Sequence, residues 1–314
     1  MPTIFDSGFS DWDPSRLPNL SGKKYFITGA NAGLGLEASK MLRAKNADVL
    51  VGSRNEGRGR GAVSNISAVA GSGTVELVKI DLASKASIDE AAAAVRALAP
   101  DGLDAIVNNA GIMQTPELQT ADGFEMQFGT NHLGHFYMNH LLFDSVAARS
   151  GRIVPVSSIA HRKPAQIRFD NVNMTGNYNP MLAYGQSKLA NLVYGLELHR
   201  RLQAAGSSVS SITCHPGYAA TNLQSTGPTG AWKAMYKVSN ALLAQPAERG
   251  AQPLALSAAG VEVLPGGYYG PVGMQGARGK ISDSNIVNPL ATDTEVGRKL
   301  WELSEEMLRI SWTF

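Results

Sequence analysis

Short β-branched runs alternate with longer helical patterns along most of the chain, and this alternation constrains the fold more than any other feature. The runs cover residues 24–28, 47–52, 74–80, 103–108, 151–157 and 208–214, with a further candidate at 266–271. Helical patterns lie between them, at 34–45, 57–70, 86–99, 120–148 and 182–204. This order predicts βαβ units and a parallel sheet that is buried on both faces. Pro155 interrupts the fifth run and predicts a bulge or a local end to pairing, because proline carries no backbone N–H.

Nothing in the sequence divides the chain into separate domains. We find no internal repeat and no linker rich in Pro, Gly or Ser. We therefore expect one α/β domain over residues 1–314, doubly wound, with a central parallel sheet flanked by helices. Residues 1–20 would form an N-terminal extension and 286–314 a C-terminal tail. The segment 222–245 would be an insertion that either packs a helix on the core or closes over a substrate as a lid.

Composition and charge narrow the classes of partner and compartment. The formal net charge is only +2, and no run of Lys and Arg indicates a nucleic-acid or anionic membrane surface. No stretch approaches the roughly 18 apolar residues of a membrane span, and the N-terminus lacks a signal-peptide pattern. The single Cys214 cannot form an internal disulfide. We expect a cytoplasmic protein with a small-molecule partner, no nucleic-acid partner and no membrane span.

A glycine-rich stretch, TGANAGLG at 28–35, follows the first predicted strand and opens the first predicted helix. Gly29, Gly33 and Gly35 would let the chain turn tightly and bring backbone N–H groups to a pyrophosphate at the positive end of the helix. The spacing differs from the usual G-x-G-x-x-G, and no lysine follows Gly35 as it would in a P-loop. The stretch predicts a phosphate-binding turn, with a merely structural turn as the alternative.

The residue after the second strand indicates which dinucleotide is preferred. An acidic residue there binds the adenosine ribose of NAD, whereas a basic residue accommodates the 2′-phosphate of NADP. Arg54, with Ser53 beside it, occupies this position, and no carboxylate precedes Glu56. NADP(H) is therefore the expected cofactor, and NAD(H) is the alternative if Arg54 is only a solvated surface charge. Asp81 follows the third strand and could cap a helix or contact the adenine.

The stretch AYGQSKLAN at 183–191 sets Tyr184 four residues before Lys188 in a helical pattern. Residues at this spacing share one face of a helix. A free tyrosine has a pKa of about 10, and a nearby ammonium favours its phenolate. The pair is therefore a candidate acid and base, although the same spacing also occurs in ordinary surface pairs.

Four motifs in order resemble those of the short-chain dehydrogenase/reductase family over roughly residues 20–275: TGANAGLG at 28–35, NNAG at 108–111, YGQSK at 184–188 and HPG at 215–217. The stretches NHLGHF, SSIAH and AYGQSKLAN are similar to the branch that contains the retinol dehydrogenases and the WW-domain oxidoreductases. The resemblance implies a Rossmann-type fold and an enzyme that interconverts a ketone or aldehyde and its alcohol by hydride transfer.

The resemblance also implies a role for individual residues. Tyr184 would be the general acid and base, and Lys188 would activate it. Ser158, the second serine of its pair, would hold the substrate carbonyl, and Asn131 would complete a proton relay. Together with the residues argued above, the expected cofactor contacts are Gly29, Asn31, Gly33, Leu34, Gly35, Ser53, Arg54, Asp81, Leu82, Asn108, Ala110, Gly111, Tyr184, Lys188, Pro216, Gly217 and Thr221.

Other classes of function are less well supported by the residues. His132, His135 and His140 crowd one segment, but the sequence has no His-Glu-x-x-His pattern, and no clustered carboxylate or cysteine completes a zinc set. We therefore expect ordinary packing or surface histidines and no metal. No G-x-S-x-G elbow indicates a hydrolase. A catalytically idle NADP-binding sensor or scaffold on the same fold is the main alternative, because fold does not determine function.

Substrate and assembly are the least constrained features. Apolar side chains in 159–182 and 222–245 indicate a bulky apolar substrate if these segments wall the pocket, and they are loop core otherwise. The resemblance implies a homodimer or homotetramer through helices near 120–148 and 182–204. The tail at 286–314 would either cover a surface or form one.

Overall fold

Six strands form the central sheet of the computed structural model, which describes residues 6–162, 165–219, 245–284 and 287–314. They are β1 Lys24–Thr28, β2 Asp48–Ser53, β3 Val75–Lys79, β4 Ala105–Asn108, β5 Arg152–Pro155 and β6 Ser210–Ser211. Their order is β3-β2-β1-β4-β5-β6, and every neighbouring pair is parallel. The direction of winding reverses between β1 and β4, which makes the sheet doubly wound. The predicted fold class is confirmed.

Helices cover both faces of this sheet. They are α1 Gly33–Arg43, α2 Glu56–Ser67, α3 Lys85–Leu98, α4 Met126–Phe128, α5 Gly134–Ala147, α6 Pro180–Ala204, α7 Ala247–Ala259 and α8 Thr294–Leu308. A π-helical stretch, Gly129–Leu133, joins α4 to α5, so the segment predicted as one helix at 120–148 is interrupted. Within the described ranges, no helix combines the length and the apolar character that a bilayer span requires.

A second, three-stranded sheet continues from the edge of the first. It contains β7 Thr213–Cys214, β8 Tyr268–Gly273 and β9 Arg278–Asp283, with β8 parallel to β7 and antiparallel to β9. The run predicted at 208–214 is therefore divided between the two sheets. Pro155 is the last residue of β5, and Val156 beyond it bridges Cys214 instead of β4. Pairing with β4 ends at the proline, as its missing N–H predicts.

Two apolar clusters occupy the two faces of the central sheet, because successive strand residues point to opposite sides. Phe26 and Ile153 contact the cluster that includes residues of α3, α5, α6 and α8. Their neighbours Ile27 and Val154 belong to the other cluster, with residues of α1, α2 and α7. Both faces are buried, which accounts for the continuous apolar runs in the sequence.

The ends of the chain pack onto these clusters. In the N-terminal extension, Trp12 is fully buried and donates from Nε1 to Glu262 at 3.2 Å. In the C-terminal tail, the buried Trp301 of α8 packs edge-on against Phe136 of α5, with ring centroids 4.9 Å apart. The tail thus covers part of the surface of α5 and α6 on which the resemblance had suggested subunit contacts.

Candidate active site

A cleft of about 510 Å³ opens at the carboxyl ends of β1, β2, β4 and β5, where a doubly wound sheet binds its ligands. Of the residues expected to contact cofactor or substrate, the cleft is lined by Gly29, Asn31, Gly33, Leu34, Ser53, Arg54, Asp81, Leu82, Ala110, Gly111, Ser158, Tyr184, Lys188, Pro216 and Gly217. Gly35, Asn108 and Asn131 do not line it. Thr221 and residues 222–244 of the expected insertion lie outside the described residues.

The glycine-rich turn fits a dinucleotide phosphate. Gly29 has a φ of +66°, and a Cβ at this position would lie 2.9 Å from the Cα of Ala110. A Cβ at Gly35 would lie 2.5 Å from Asn109 Nδ2, so this glycine serves close packing. Ala32, the N-cap of α1, makes no side-chain hydrogen bond to the first turn of the helix. The N–H groups of that turn are thus left for an anion at the positive end of the helix.

The NNAG stretch holds this turn in place. Asn109 donates from Nδ2 to the carbonyl oxygen of Thr28 at 2.7 Å, and the N–H of Ala110 donates to Thr28 Oγ1 at 3.0 Å. Asn108 is buried in β4, and its amide atoms have no hydrogen-bond partner among the described residues. The stretch therefore supports the turn through Asn109 and Ala110, while Asn108 lies behind the cleft.

Two guanidinium groups lie at the end of the cleft beyond β2. Arg54 is well exposed, and its Nη1 lies 4.0 Å from Asp81 Oδ2. Arg58, in the first turn of α2, also lines the cleft, and its N–H donates to the Asn55 side chain at 2.9 Å. Sequence reasoning missed Arg58, although its position four residues after Arg54 was a signal that both could lie on one side of this turn. This end of the cleft favours an anionic group.

Tyr184 and Lys188 lie on the same side of α6, and both are buried at the cleft. Lys188 Nζ lies 6.0 Å from the centre of the Tyr184 ring and donates to the carbonyl oxygen of Val156 at 3.2 Å. Burial lowers the pKa of Lys188 to about 8. The spacing in the sequence thus brings a phenol and an amine together in the cleft that the glycine-rich turn also lines.

The two serines after β5 have different partners. The Ser157 hydroxyl is buried and donates to the carbonyl oxygen of Lys188 at 2.7 Å. Ser158 lines the cleft, and its Oγ accepts a hydrogen bond from the N–H of Ala160 at 3.2 Å, which starts a 3₁₀ turn at Ile159–His161. The oxygen of Ser158 has a second lone pair and a proton for another partner. This arrangement supports the choice of Ser158 for substrate contact.

Asn131 lies in the π-helical stretch, fully buried behind the cleft. Its Nδ2 donates to the carbonyl oxygen of Ile112 and to Ser187 Oγ, each at 2.9 Å, and its Oδ1 accepts from the N–H of Ile112 at 2.8 Å. Single π turns inside helices often occur at functional sites. The side chain of Asn131 thus ties the strand-four loop to the helix that carries Lys188.

Two of the three crowded histidines, His132 and His135, are engaged in the protein interior. His132 Nε2 lies 2.9 Å from Ser304 Oγ, and His135 contacts both Thr28 Oγ1 and the carbonyl oxygen of Asn131. Burial lowers the pKa of His132 and of His135 to about 3. In the portion of the chain described, no group of three or more His, Cys, Asp or Glu is arranged to hold a metal.

Apolar and polar side chains outside the expected set line the substrate side of the cleft. Met113, Ile159 and Met181 are apolar, and Arg162 is charged. Arg162 donates to the carbonyl oxygens of Ile159 and Gln275 at 3.1 and 3.2 Å, so it braces the wall. Ile159 and Met181 belong to the segment 159–182 that the sequence indicated as a pocket wall.

Known proteins with similar sequences are described as dehydrogenases. Residues 23–229 match the family model described as short chain dehydrogenase. Human retinol dehydrogenase 11 is 35% identical over 294 residues, which cover 92% of this chain and 86% of that protein. Human retinol dehydrogenase 13 is 36% identical over 302 residues, which cover 94% and 87%. A chloroplastic short-chain dehydrogenase, TIC 32 B of Brassica napus, is 33% identical over 293 residues, which cover 90% and 87%.

Solved structures share the fold. An uncharacterized protein from Mycobacterium paratuberculosis is 34% identical, with a TM-score of 0.80 over 97% of this chain and 100% of that one. A short chain dehydrogenase from Burkholderia cenocepacia, solved in complex with NADP, is 24% identical, with a TM-score of 0.62 over 80% of this chain and 96% of that one. The second likeness concerns the fold alone.

Proposed function

The chain belongs to the short-chain dehydrogenase/reductase family, and we propose that it prefers NADP(H) and converts a bulky apolar ketone or aldehyde. As a member of this family it is an oxidoreductase of alcohol and carbonyl groups that uses a nicotinamide dinucleotide. One observation carries this proposal. Ser158, Tyr184 and Lys188 meet in the cleft that the glycine-rich turn also lines. A phosphate site and an acid–base pair in one cleft are what this reaction requires.

The protein's part in the chemistry is to position groups and to move a proton. A bound nicotinamide supplies the hydride in reduction and accepts it in oxidation. In reduction, the Tyr184 hydroxyl donates its proton to the substrate oxygen. Ser158 Oγ donates a hydrogen bond to the same oxygen as negative charge develops there. Lys188, 6.0 Å from the Tyr184 ring, favours the phenolate that remains after the transfer.

Asn131 completes the proposed set in a supporting position. Its amide holds Ile112 and Ser187, and Ser187 directly precedes Lys188 in α6. A displacement of Asn131 would therefore move the loop beside the cofactor and the helix that carries the acid. Its role in a proton relay is proposed from the resemblance, and its contacts are consistent with a residue that fixes the geometry of that relay.

The cofactor preference rests on the arginine end of the cleft. Arg54 and Arg58 both line the cleft beside Ser53, so two cations would surround a 2′-phosphate, while the Ser53 hydroxyl donates to the carbonyl oxygen of Asn55 at 2.9 Å. Asp81 lies 4.0 Å from Arg54 and partly offsets its charge. The open first turn of α1 would hold the pyrophosphate. NAD(H), which lacks the 2′-phosphate, would lose the arginine contacts.

The substrate class rests on the walls of the cleft and on the relatives. Met113, Ile159 and Met181 offer an apolar surface beside Ser158. Several relatives are named retinol dehydrogenases, and retinol is a bulky apolar alcohol. A cytoplasmic location and one domain over 1–314 belong to the same proposal. A homodimer or homotetramer would have to use the surface of α5 and α6 that the tail leaves uncovered.

The test is a cofactor-consumption assay with NADPH and NADH against bulky apolar and small polar aldehydes and ketones, with Tyr184→Phe in parallel. We expect NADPH oxidation that depends on bulky apolar carbonyl compounds and that collapses in the variant. A much better rate with NADH would contradict the argument from Arg54 and Arg58. NADPH binding without oxidation by any carbonyl compound would favour the idle sensor or scaffold.

A further inference from the structure

His135 of α5 joins two segments of the site that are far apart in the chain. Its Nε2 lies 2.8 Å from Thr28 Oγ1 at the start of the glycine-rich turn, and its Nδ1 lies 3.0 Å from the carbonyl oxygen of Asn131. We propose that His135 is a positioning residue that couples the cofactor turn to the acid–base helix through one buried hydrogen-bond chain. The inference rests on the proposed function, since it concerns the same cofactor and the same reaction.

The direction of every hydrogen bond in this chain follows from its partners. Nδ1 of His135 faces a carbonyl oxygen, which can only accept, so Nδ1 carries the proton. A neutral imidazole then has an acceptor at Nε2, and the Thr28 hydroxyl donates to it at 2.8 Å in preference to the carbonyl oxygen of Val107, which lies 3.3 Å away. Thr28 Oγ1 in turn accepts from the N–H of Ala110 at 3.0 Å. Full burial and the nearby charge of Lys188 keep His135 neutral, because they lower its pKa to about 3.

The chain reaches both functional halves of the cleft. At one end, Thr28 and Ala110 fix the turn that begins at Gly29. At the other end, the side-chain amide of Asn131 donates from Nδ2 to Oγ of Ser187, which is one residue before Lys188. His135 is therefore the link between the segment that would hold the phosphates and the segment that would move the proton.

An apolar side chain of similar size could fill the volume of His135 but could not replace its two hydrogen bonds. Thr28 and Asn131 are both fully buried, so neither could turn to solvent, and the Thr28 hydroxyl would be left with its longer, 3.3 Å contact to the carbonyl oxygen of Val107. Shorter amides offer a way to restore one bond at a time. The Nδ2 of an asparagine occupies nearly the place of histidine Nδ1, and the terminal amide of a glutamine occupies nearly the place of Nε2.

The experiment compares His135→Leu, His135→Asn and His135→Gln in the full chain. The control is Asn139→Leu, one helical turn further along α5, where a fully buried amide donates to the Tyr194 hydroxyl at 2.9 Å and contacts neither site segment. The readouts are the dissociation constant for NADPH from nucleotide fluorescence, the kcat with a carbonyl substrate, and the melting temperature.

We expect His135→Leu to weaken NADPH binding and to lower kcat by about tenfold each, the equivalent of one hydrogen bond lost in each segment. The Asn139→Leu control should lower the melting temperature and leave both readouts within about twofold. His135→Asn should recover kcat more than NADPH affinity, and His135→Gln should recover NADPH affinity more than kcat. A loss of stability alone would not make the two variants differ in opposite directions in kcat and NADPH affinity.

Two results would overturn the inference. One is a His135→Leu protein whose NADPH affinity and kcat match those of the control. The other is that His135→Asn and His135→Gln each change NADPH affinity and kcat to the same extent. This second result would overturn the inference even if His135→Leu does not fold. A wild-type chain that does not bind NADPH would instead contradict the proposed function, so the two failures can be told apart.

Discussion

Lys188 Nζ approaches the face of the Tyr184 ring to 6.0 Å from its centre, while it donates to the carbonyl oxygen of Val156 at 3.2 Å. The amine is thus held at the residue that follows β5, two positions before Ser158, while both side chains extend from α6. Rotation of α6 relative to β5 would break the contact with Val156 and move the pair away from Ser158. The proposed acid–base chemistry therefore depends on the packing between these two elements as well as on the spacing of the two residues.

Tyr184→Phe keeps the ring and removes the proton. We expect kcat to fall by roughly 10²- to 10⁴-fold, the usual contribution of a general acid, because no hydroxyl remains to protonate the substrate oxygen. NADPH affinity should change little, since the phenyl ring still fills the site. Steady-state kinetics and a fluorescence titration would measure both. The control is Tyr194→Phe, which changes a buried tyrosine ten residues further along α6. Turnover of Tyr184→Phe at the rate of this control would show that the acid is misassigned.

Burial of Lys188 makes stability depend on pH. The pKa falls from the usual 10.5 to about 8 in the folded protein, so the unfolded chain binds the proton more tightly. The contribution to stability is therefore full above pH 10.5 and is lost as the pH falls through 8. Relative to Lys188→Met, the wild-type protein should gain about 2 kcal/mol in free energy of unfolding between pH 7 and 9.5. Urea unfolding at several pH values would test this. Parallel pH curves for the two proteins would mean that the lysine is well solvated.

The arginine end of the cleft should set the choice of cofactor. Arg54→Ala and Arg58→Ala should each raise the KM for NADPH about tenfold and leave the KM for NADH nearly unchanged, because only NADPH carries a 2′-phosphate. Arg60→Ala is a matched control, since Arg60 lies on the same helix as Arg58 but is exposed and paired with Glu56. Equal losses with NADPH and NADH would place the arginines away from the phosphate.

Most of what could be predicted from the sequence depends on patterns of residues that are close together in the chain. The strand β1, the turn that starts at Gly29 and the Tyr184–Lys188 pair each depend on residues close together in the chain, so their spacing was sufficient. The strand β9 was missed because half of its residues are exposed and Ile281 is its one buried apolar residue, so the sequence shows no apolar run there. The run at 208–214 was predicted as one strand because nothing in its composition marks Ile212 as the point where the chain passes to the second sheet.

Long-range contacts explain the rest of what the sequence did not predict. His135 was expected to be a packing or surface residue, and its contact with Thr28 joins positions 107 residues apart. No spacing rule connects such positions. Arg58 was missed for a related reason, since it enters the cleft only because α2 begins at Glu56 with Asn55 as its cap. Candidate site residues that are held by tertiary contacts thus require coordinates, whereas residues within a motif do not.

Buried histidines should make the protein sensitive to acid. Burial lowers the pKa of His132 and of His215 to about 3, below the usual 6.5, so each binds its proton only after unfolding. The stability is complete above pH 6.5 and is lost as the pH falls toward 3. Each such histidine should remove about 2 kcal/mol from the free energy of unfolding between pH 7 and 5.

His132→Gln, which can keep a hydrogen bond to Ser304, should reduce this loss by that amount. His199→Gln, at a half-buried position, should reduce it less. Denaturant unfolding at pH 7 and pH 5 gives the comparison, and an unchanged loss in His132→Gln would mean that this histidine is protonated in the folded protein.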